Sequence, residues 1–312
     1  DAGASYDGWA WRQGTGRWLP LYEAKMVNLY DDRFGTYAGT DLADGKGVRA
    51  IPTPTESQHD DPNFGVEARY WVAEQEVKRA LGGRFGRDWL LGWRDITYAE
   101  HVRTFVSSAI PLSGVGHKLP LVVSADDPHL LLALMSSLTF DYICRQKIGG
   151  TSMSYFIVKQ IAVPPPTALY GKPPWAAEAL DVWIRMRLIE LVYNSWRMSP
   201  FASEMHDVGP PFRWLPSRRE LIRAELDAAI FHLYGLEPDE VEHVLDSFVV
   251  LRKYEERDHG DFRTKRLVLE RYNAMAEAAA TGVPYQTPID PPPGFGPRHN
   301  PSTRPDWLKG SA

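Results

Sequence analysis

The pattern of hydrophobic positions divides the chain into a strand-rich first part and a helical second part. Short apolar segments separated by Gly and Pro fill the first part, which is typical of strands joined by irregular loops. One helix is expected there at 129–138, with Asp126 or Asp127 as its cap and Pro128 in its first turn. The segments that predict strands are 18–22, 69–72, 89–96, 105–110, 119–123 and 154–163.

Three consecutive prolines at 164–166 mark the predicted boundary between the two parts. Beyond them, apolar residues recur at helical spacing. The helices are predicted at 174–198, 217–235, 238–248 and 263–280, with a Ser-Arg-Arg-Glu capping box opening the second of them. Residues 41–63 are polar, with no helical period, and predict an exposed or partly disordered loop.

These elements predict an α+β protein in three parts. A β-rich domain is expected at 1–166, a helical domain at 167–282, and a flexible Pro-rich tail at 283–312. The length of 312 residues agrees with more than one domain.

The composition adds limits on where the protein works. Hydrophobic residues make up 44% and charged residues 24%, which is ordinary for a globular chain. No apolar stretch approaches the ~18 residues that span a membrane, and no signal peptide is visible. Cys144 is the single cysteine, so it has no partner for an internal disulfide. We therefore expect a cytoplasmic protein with no membrane partner.

The charge distribution is uneven although the net charge is -5 at pH 7. Residues 142–177 contain no Asp or Glu but include Arg145, Lys147, Lys159 and Lys172. A locally positive face on an acidic protein is therefore possible, and such a face is what a nucleic-acid partner requires.

The motif that transfers a methyl group to a DNA amine is missing. It consists of Asn, Asp or Ser followed by Pro-Pro and an aromatic residue that stacks on the flipped base. Three segments come near it: Lys172-Pro173-Pro174-Trp175, Gly209-Pro210-Pro211-Phe212 and Asp290-Pro291-Pro292-Pro293. Each lacks either the polar acceptor or the aromatic. Gly114-Val115-Gly116 is also not followed by the helix of a cofactor loop. No catalytic residue is therefore assigned.

A metal-dependent nuclease is the alternative from another class. Glu23-Ala24-Lys25 follows an apolar segment, and Asp7 lies upstream, which is the skeleton of a D…ExK site for a divalent ion. The alternative interpretation of Glu23 and Lys25 is an exposed ion pair or a lysine that faces DNA. No other metal site is expected.

Several segments, taken in order, carry a resemblance to a known family. They are LPLYEAKM at 19–26, YDDRFGTY at 30–37, GWRDIT at 92–97, YICRQKIGGTSMSYF at 142–156, ELDAAIFHLYGL at 225–236 and FRTKRL at 262–267. This ordered set resembles the C-terminal target-recognition region of adenine-specific DNA methyltransferases. These enzymes belong to type II restriction–modification systems and to phage-defence systems of the DISARM type.

The resemblance implies a function in sequence-specific DNA recognition. A catalytic domain or subunit outside this chain would use S-adenosylmethionine to methylate the N6 amine of adenine, so no cofactor is expected in this chain. The expected partners are double-stranded DNA and that methyltransferase catalytic domain or subunit. A structural subunit of a defence complex is a third possibility, besides the Mg-dependent nuclease.

The residues expected to contact DNA have side chains suited to base edges and phosphates. Arg pairs with guanine, Gln with adenine and Lys with phosphate, and a double glycine lets the backbone approach a phosphate closely. The predicted DNA-binding residues are Lys25, Arg33, Arg94, Arg103, Arg145, Gln146, Lys147, Gly149, Gly150, Thr151, Ser152 and Lys159. The hypothesis requires the surface around Gly149 and Gly150 to be exposed, with cations that carboxylates have not all neutralised.

Overall fold

The fold is α+β, with a sheet region followed by a helical region, as the sequence predicts. The computed structural model describes residues 3–41, 50–83, 85–123 and 126–309. The strands within these ranges are β1 (Ser5–Tyr6), β2 (Trp11–Gln13), β3 (Gly16–Tyr22), β4 (Trp71–Ala73), β5 (Trp89–Trp93), β6 (Ser107–Pro111), β7 (Gly114–Val115) and β8 (Leu121–Val122). Each of the strand predictions before residue 124 contains or overlaps one of them.

The helices carry most of the second half of the chain. Those within the described ranges are α1 (Glu56–His59), α2 (Glu74–Leu81), α3 (Pro128–Ser136), α4 (Leu138–Lys147), α5 (Tyr155–Val158), α6 (Pro166–Tyr170), α7 (Leu180–Val192), α8 (Ser199–Glu204), α9 (Pro216–Tyr234), α10 (Pro238–Asp246), α11 (Val249–His259), α12 (Arg263–Thr281) and α13 (Asp306–Lys309). The predictions that became α3, α9, α10 and α12 are confirmed. None of the described helices combines the length and apolar content that crossing a membrane requires.

Two sheets share the first half of the chain. The first has the antiparallel order β1-β2-β3-β4, with β7 parallel to β3. The second has the antiparallel order β6-β5-β8. Successive side chains of a strand point to opposite faces. Trp89, Leu91 and Trp93 of β5 accordingly join the larger hydrophobic cluster, whereas Leu90 joins the smaller one.

The larger cluster extends across the triple proline. It contains Leu29 and Trp93 from the first half together with Leu188, Phe231 and Ile289 from the second. All the described strands lie before the prolines at 164–166, but helices lie on both sides of them, and the larger cluster is common to both parts.

Several local predictions are wrong. Residues 154–163 do not form a strand, because the backbone turns into the short helix α5, whose Ile157 and Val158 pack against the larger cluster. The helix predicted at 174–198 is confined to Leu180–Val192. Helix α9 begins at Pro216 without a side-chain cap, since a proline already suits the first helical position. In the polar segment 41–63, residues 42–49 lie outside the described residues, and α1 forms within the remainder.

The Pro-rich C-terminal segment is packed, in contrast with the predicted flexible tail. The hydroxyls of Tyr285 and Thr287 donate to Glu225 of α9 at 2.8 and 2.5 Å. The backbone N–H of Gly294 donates to Glu190 of α7 at 2.9 Å, and Ile289 is buried. Polar anchors on two helices thus hold a segment that has little secondary structure of its own.

Asp32 provides a prediction about stability and pH. It is buried, and its Oδ2 atom has no hydrogen-bond partner among the described residues. Burial raises the pKa of Asp32 to about 6, so the folded state holds this proton more tightly than the unfolded state. The resulting stabilisation is present below about pH 4 and is lost as the pH rises to about 6. We expect Asp32→Asn to raise the free energy of unfolding by about 2 kcal/mol at pH 7.5 and to change it little at pH 4.

Urea unfolding of both proteins between pH 4 and pH 7.5 measures this difference. A variant less stable than the wild type at pH 7.5 would contradict the prediction, because it would mean that the ionised carboxylate has a stabilising partner.

Candidate nucleic-acid interface

The segment between α4 and α5 forms an exposed surface around the double glycine. Helix α4 ends at Lys147, and Gly149, Gly150 and Thr151 follow in an exposed loop. A Cβ atom added at Gly149 or Gly150 would meet nothing within 4 Å. We call this the glycine-loop surface and define it as Gln146, Lys147, Gly149, Gly150, Thr151, Tyr155, Phe156 and Lys159. All of these residues are exposed.

The loop is attached to the end of β5 by both backbone and side-chain bonds. Thr97 N donates to Thr151 O at 3.2 Å, and Met153 N donates to Asp95 O at 2.7 Å. The Asp95 carboxylate accepts from Ser152 Oγ and, at 2.8 Å, from Lys118 Nζ. Although burial raises it, the hydrogen bonds from Lys118 and Ser152 hold the pKa of Asp95 below its ordinary value. Asp95 therefore positions the loop, and Ser152 faces this anchor.

The cations of the glycine-loop surface are available to an anionic partner. Lys147 and Lys159 are exposed, and neither forms an ion pair with any carboxylate in the described part of the chain. The absence of Asp and Glu from residues 142–177 explains why no local partner neutralises them. The requirement that these lysines be exposed and not neutralised is thus met.

Two exposed aromatic residues, Tyr155 and Phe156, lie between these lysines in the sequence. Tyr155 is fixed, because its ring packs edge-on against Trp93 at 4.9 Å and its hydroxyl donates to Leu121 O at 2.9 Å. Phe156 is 77% exposed, more than any other aromatic residue in the described ranges. An exposed apolar ring among cations suits stacking on a nucleobase.

Arg103 and Arg145 are committed to a buried carboxylate, which corrects the expectation that they are free for DNA. Arg103 Nε donates to Asp141 Oδ2 at 2.6 Å, and Arg145 Nε donates to Asp141 Oδ1 at 2.9 Å. Arg145 also donates to the carbonyls of His101 and Val102. Both guanidinium groups therefore join α4 to the 101–105 segment.

Arg33 is also corrected, because its side chain is enclosed by the protein. It is 1% exposed, and its guanidinium group donates to the carbonyls of His59 at 2.6 Å and Asp61 at 2.9 Å. Two further bonds reach Asn194 O at 3.3 Å and Phe64 O at 3.4 Å. Arg33 therefore organises the backbone around it and does not face a partner.

Lys25 and Arg94 contact residues that do not belong to the glycine-loop surface. Lys25 forms an ion pair with Glu23 at 3.4 Å and lies over the Tyr37 ring. Arg94 donates its Nε to Val27 O at 2.8 Å, and burial lowers its pKa to about 10. The structure thus leaves six of the predicted residues exposed, and it gives the others internal partners; the exposed ones are Gln146, Lys147, Gly149, Gly150, Thr151 and Lys159.

The residues of the alternative nuclease site have other partners. Asp7 accepts from the N–H groups of Trp9 and Ala10 and from Arg12. Glu23 accepts from the Tyr37 hydroxyl at 2.5 Å. Within the described ranges, no group of three or more His, Cys, Asp or Glu side chains is arranged to hold a metal ion.

Comparison of the chain with protein-family models, curated proteins and solved structures finds no match. The support for this candidate site is therefore the geometry of the chain itself. Sequence reasoning missed Phe156 and the anchoring role of Asp95. The signal for Phe156 was its place between Lys147 and Lys159 in an acid-free segment, but reading that segment as a strand concealed its exposure.

Proposed function

We propose that this chain binds double-stranded DNA through the glycine-loop surface and serves as the target-recognition part of an adenine-specific DNA methyltransferase. The observation that carries the proposal is the exposure of Lys147, Lys159 and Phe156 on one acid-free segment that Asp95 holds to the sheet. In the intact system, S-adenosylmethionine is bound by a catalytic domain or subunit outside this chain.

Each part of the surface has a separate role in this proposal. Lys147 and Lys159 pair with phosphates, which carry most of the affinity of a protein for DNA. The open space at Gly149 and Gly150 allows a phosphate to approach the backbone N–H groups. Gln146 offers both a donor and an acceptor to an adenine edge. Backbone and lysine contacts position the duplex, and the remaining side chains read it.

The lysine contacts are tested by salt-dependent binding. We expect Lys147→Ala and Lys159→Ala each to weaken binding to a labelled duplex and to reduce the slope of log K against log salt by about 1. The double variant should reduce it by about 2. Lys78→Ala is the matched control, because Lys78 is an exposed lysine on α2 that pairs with Glu74, and it should bind like the wild type. Fluorescence anisotropy between 50 and 200 mM salt, the range over which such contacts respond, gives these slopes.

Absence of DNA binding by the wild-type chain at low salt would refute the proposal and would favour a structural subunit. An unchanged slope in the double variant would instead move the contact surface elsewhere on the chain.

Phe156 is expected to act by inserting its ring at a base step. Phe156→Ala should weaken DNA binding about tenfold, since stacking on a base contributes about 1–3 kcal/mol. The salt slope should stay unchanged because no charge is removed. Phe156→Trp should retain most of the affinity. A 2-aminopurine base placed in the duplex reports on unstacking, and equal signals from the wild type and Phe156→Ala would contradict the insertion.

A further inference from the structure

A cavity of about 410 Å³ is lined on one side by residues of the 101–106 segment. Helices α9, α11 and α12 form its other walls, together with Asn28 and Leu29. Apolar side chains such as Val106 and Leu267 line it, and so do four arginines: Arg94, Arg103, Arg223 and Arg263. A volume of this size falls within the range of small-molecule sites, and apolar walls with a few polar groups are typical of them.

The carboxylates in the wall already have partners. Glu220 lies 2.9 Å from the guanidinium group of Arg263. Glu255 accepts from Thr264 N at 2.7 Å, and Asp227 accepts from Leu138 N at 2.7 Å. Neither Glu220 nor Asp227 forms a direct ion pair with Arg223 among the described residues, although both act on its charge electrostatically.

Arg223 is an arginine of the wall whose charge Glu220 and Asp227 favour electrostatically. It is half-buried, and its guanidinium group makes no hydrogen bond and no ion pair with the described residues. Burial lowers the pKa of Arg223, which reflects the penalty on its charge. Arg94 also lines the cavity; its guanidinium group donates to Val27 O and lies over the Phe34 ring. A phosphate oxygen entering the cavity would give the Arg223 guanidinium group a charge-assisted hydrogen-bond partner, which the described residues do not supply.

We propose that this cavity binds a phosphate group, either free or esterified to a small organic molecule, with Arg223 as its main ligand and Arg94 as a second cation. The planar guanidinium fork matches two phosphate oxygens. The apolar part of the wall leaves room for the organic portion of an ester. This site is lined by none of the residues of the glycine-loop surface, so it does not depend on DNA binding.

Isothermal titration calorimetry of the full chain with inorganic phosphate, adenosine 5′-monophosphate and adenosine tests the site, with chloride matching the ionic strength. We expect phosphate and the monophosphate to bind and adenosine to be inactive. Tighter binding of the monophosphate would identify an ester as the occupant, and equal binding would identify free phosphate. Binding of adenosine as tightly as its monophosphate, or no binding of phosphate and monophosphate, would overturn the proposal.

Arg223→Met removes the charge but keeps a long apolar stem. We expect it to weaken phosphate binding at least about tenfold, while Arg223→Lys has an intermediate effect. Arg266→Met is the control, because Arg266 is an exposed arginine of α12 that pairs with Asp261. Without phosphate, Arg223→Met should melt no lower than the wild type. A loss of more than about 5 °C would show that Arg223 has a structural partner, and would overturn the proposal as surely as unchanged phosphate affinity.

Discussion

Replacing Asp141 with Asn will lower the free energy of unfolding by about 3–5 kcal/mol. The Asp141 side chain is fully buried between two arginines, Arg103 at 2.6 Å and Arg145 at 2.9 Å. It also accepts from the backbone N–H groups of Thr104 and Phe105. Asn has no charge to balance the two guanidinium groups, and its amide nitrogen cannot accept from them. Urea unfolding of the wild type and the variant at pH 7 measures the difference.

Asp258→Asn is the matched control, because Asp258 forms an exposed ion pair with Arg257 on α11. No measurable change in stability is expected there, since solvent screens such pairs. The DNA titration provides a second readout. An Asp141→Asn variant with unchanged stability and stronger DNA binding would mean that Arg103 and Arg145 are held only loosely and belong to the DNA contacts after all.

Replacing Glu225 with Gln will destabilise the protein by about 3 kcal/mol and loosen the C-terminal segment. Glu225 lies 2.7 Å from the buried guanidinium group of Arg187, and it also accepts from Tyr285 and Thr287. Gln can still accept the two hydroxyl bonds, but it leaves the Arg187 charge without its counter-ion. Urea unfolding measures the global effect, and limited proteolysis followed by mass spectrometry measures cleavage within residues 283–309.

Glu270→Gln on α12 is the control for this second prediction, because Glu270 is half-exposed and pairs with Arg266 at 3.3 Å. It should leave both readouts close to those of the wild type. If Glu225→Gln were as stable and as protease-resistant as the wild type, the C-terminal segment would not be anchored through this cluster.

The sequence predicted the strands of the first half and several helices well, because these depend on local periodicity. Residues 89–96 begin with the short apolar run of β5, residues 217–235 carry the helical spacing of α9, and both elements form. Residues 154–163 were misread, because a short apolar run fits a strand and a helical turn equally. Among the described residues, no strand pairs with this run; a single bridge between Ile96 and Ser152 precedes it.

The ion pairs of Arg145 and Arg103 with Asp141 were also not predicted from the sequence. The acid-free stretch begins at Tyr142, directly after Asp141, and this one carboxylate engages Arg145 one helical turn later. The helix that the sequence predicts here ends at residue 138, so the i, i+4 pair of α4 lies outside it. Arg103 comes to the same carboxylate from 38 residues away in sequence, and no local pattern indicates such a pairing.

The sequence alone determined which segments are apolar or polar, and therefore most of the elements and the acid-free stretch with Lys147, Gly149, Gly150 and Lys159. The tertiary structure decided which cations are available and which are enclosed. Arg33 and Arg145 donate to carbonyls on distant segments, and Arg103 pairs with the distant carboxylate of Asp141, while the two lysines remain exposed. The physical reason is that periodicity is encoded between near neighbours, whereas the partner of a charge depends on which remote segments the common core brings together.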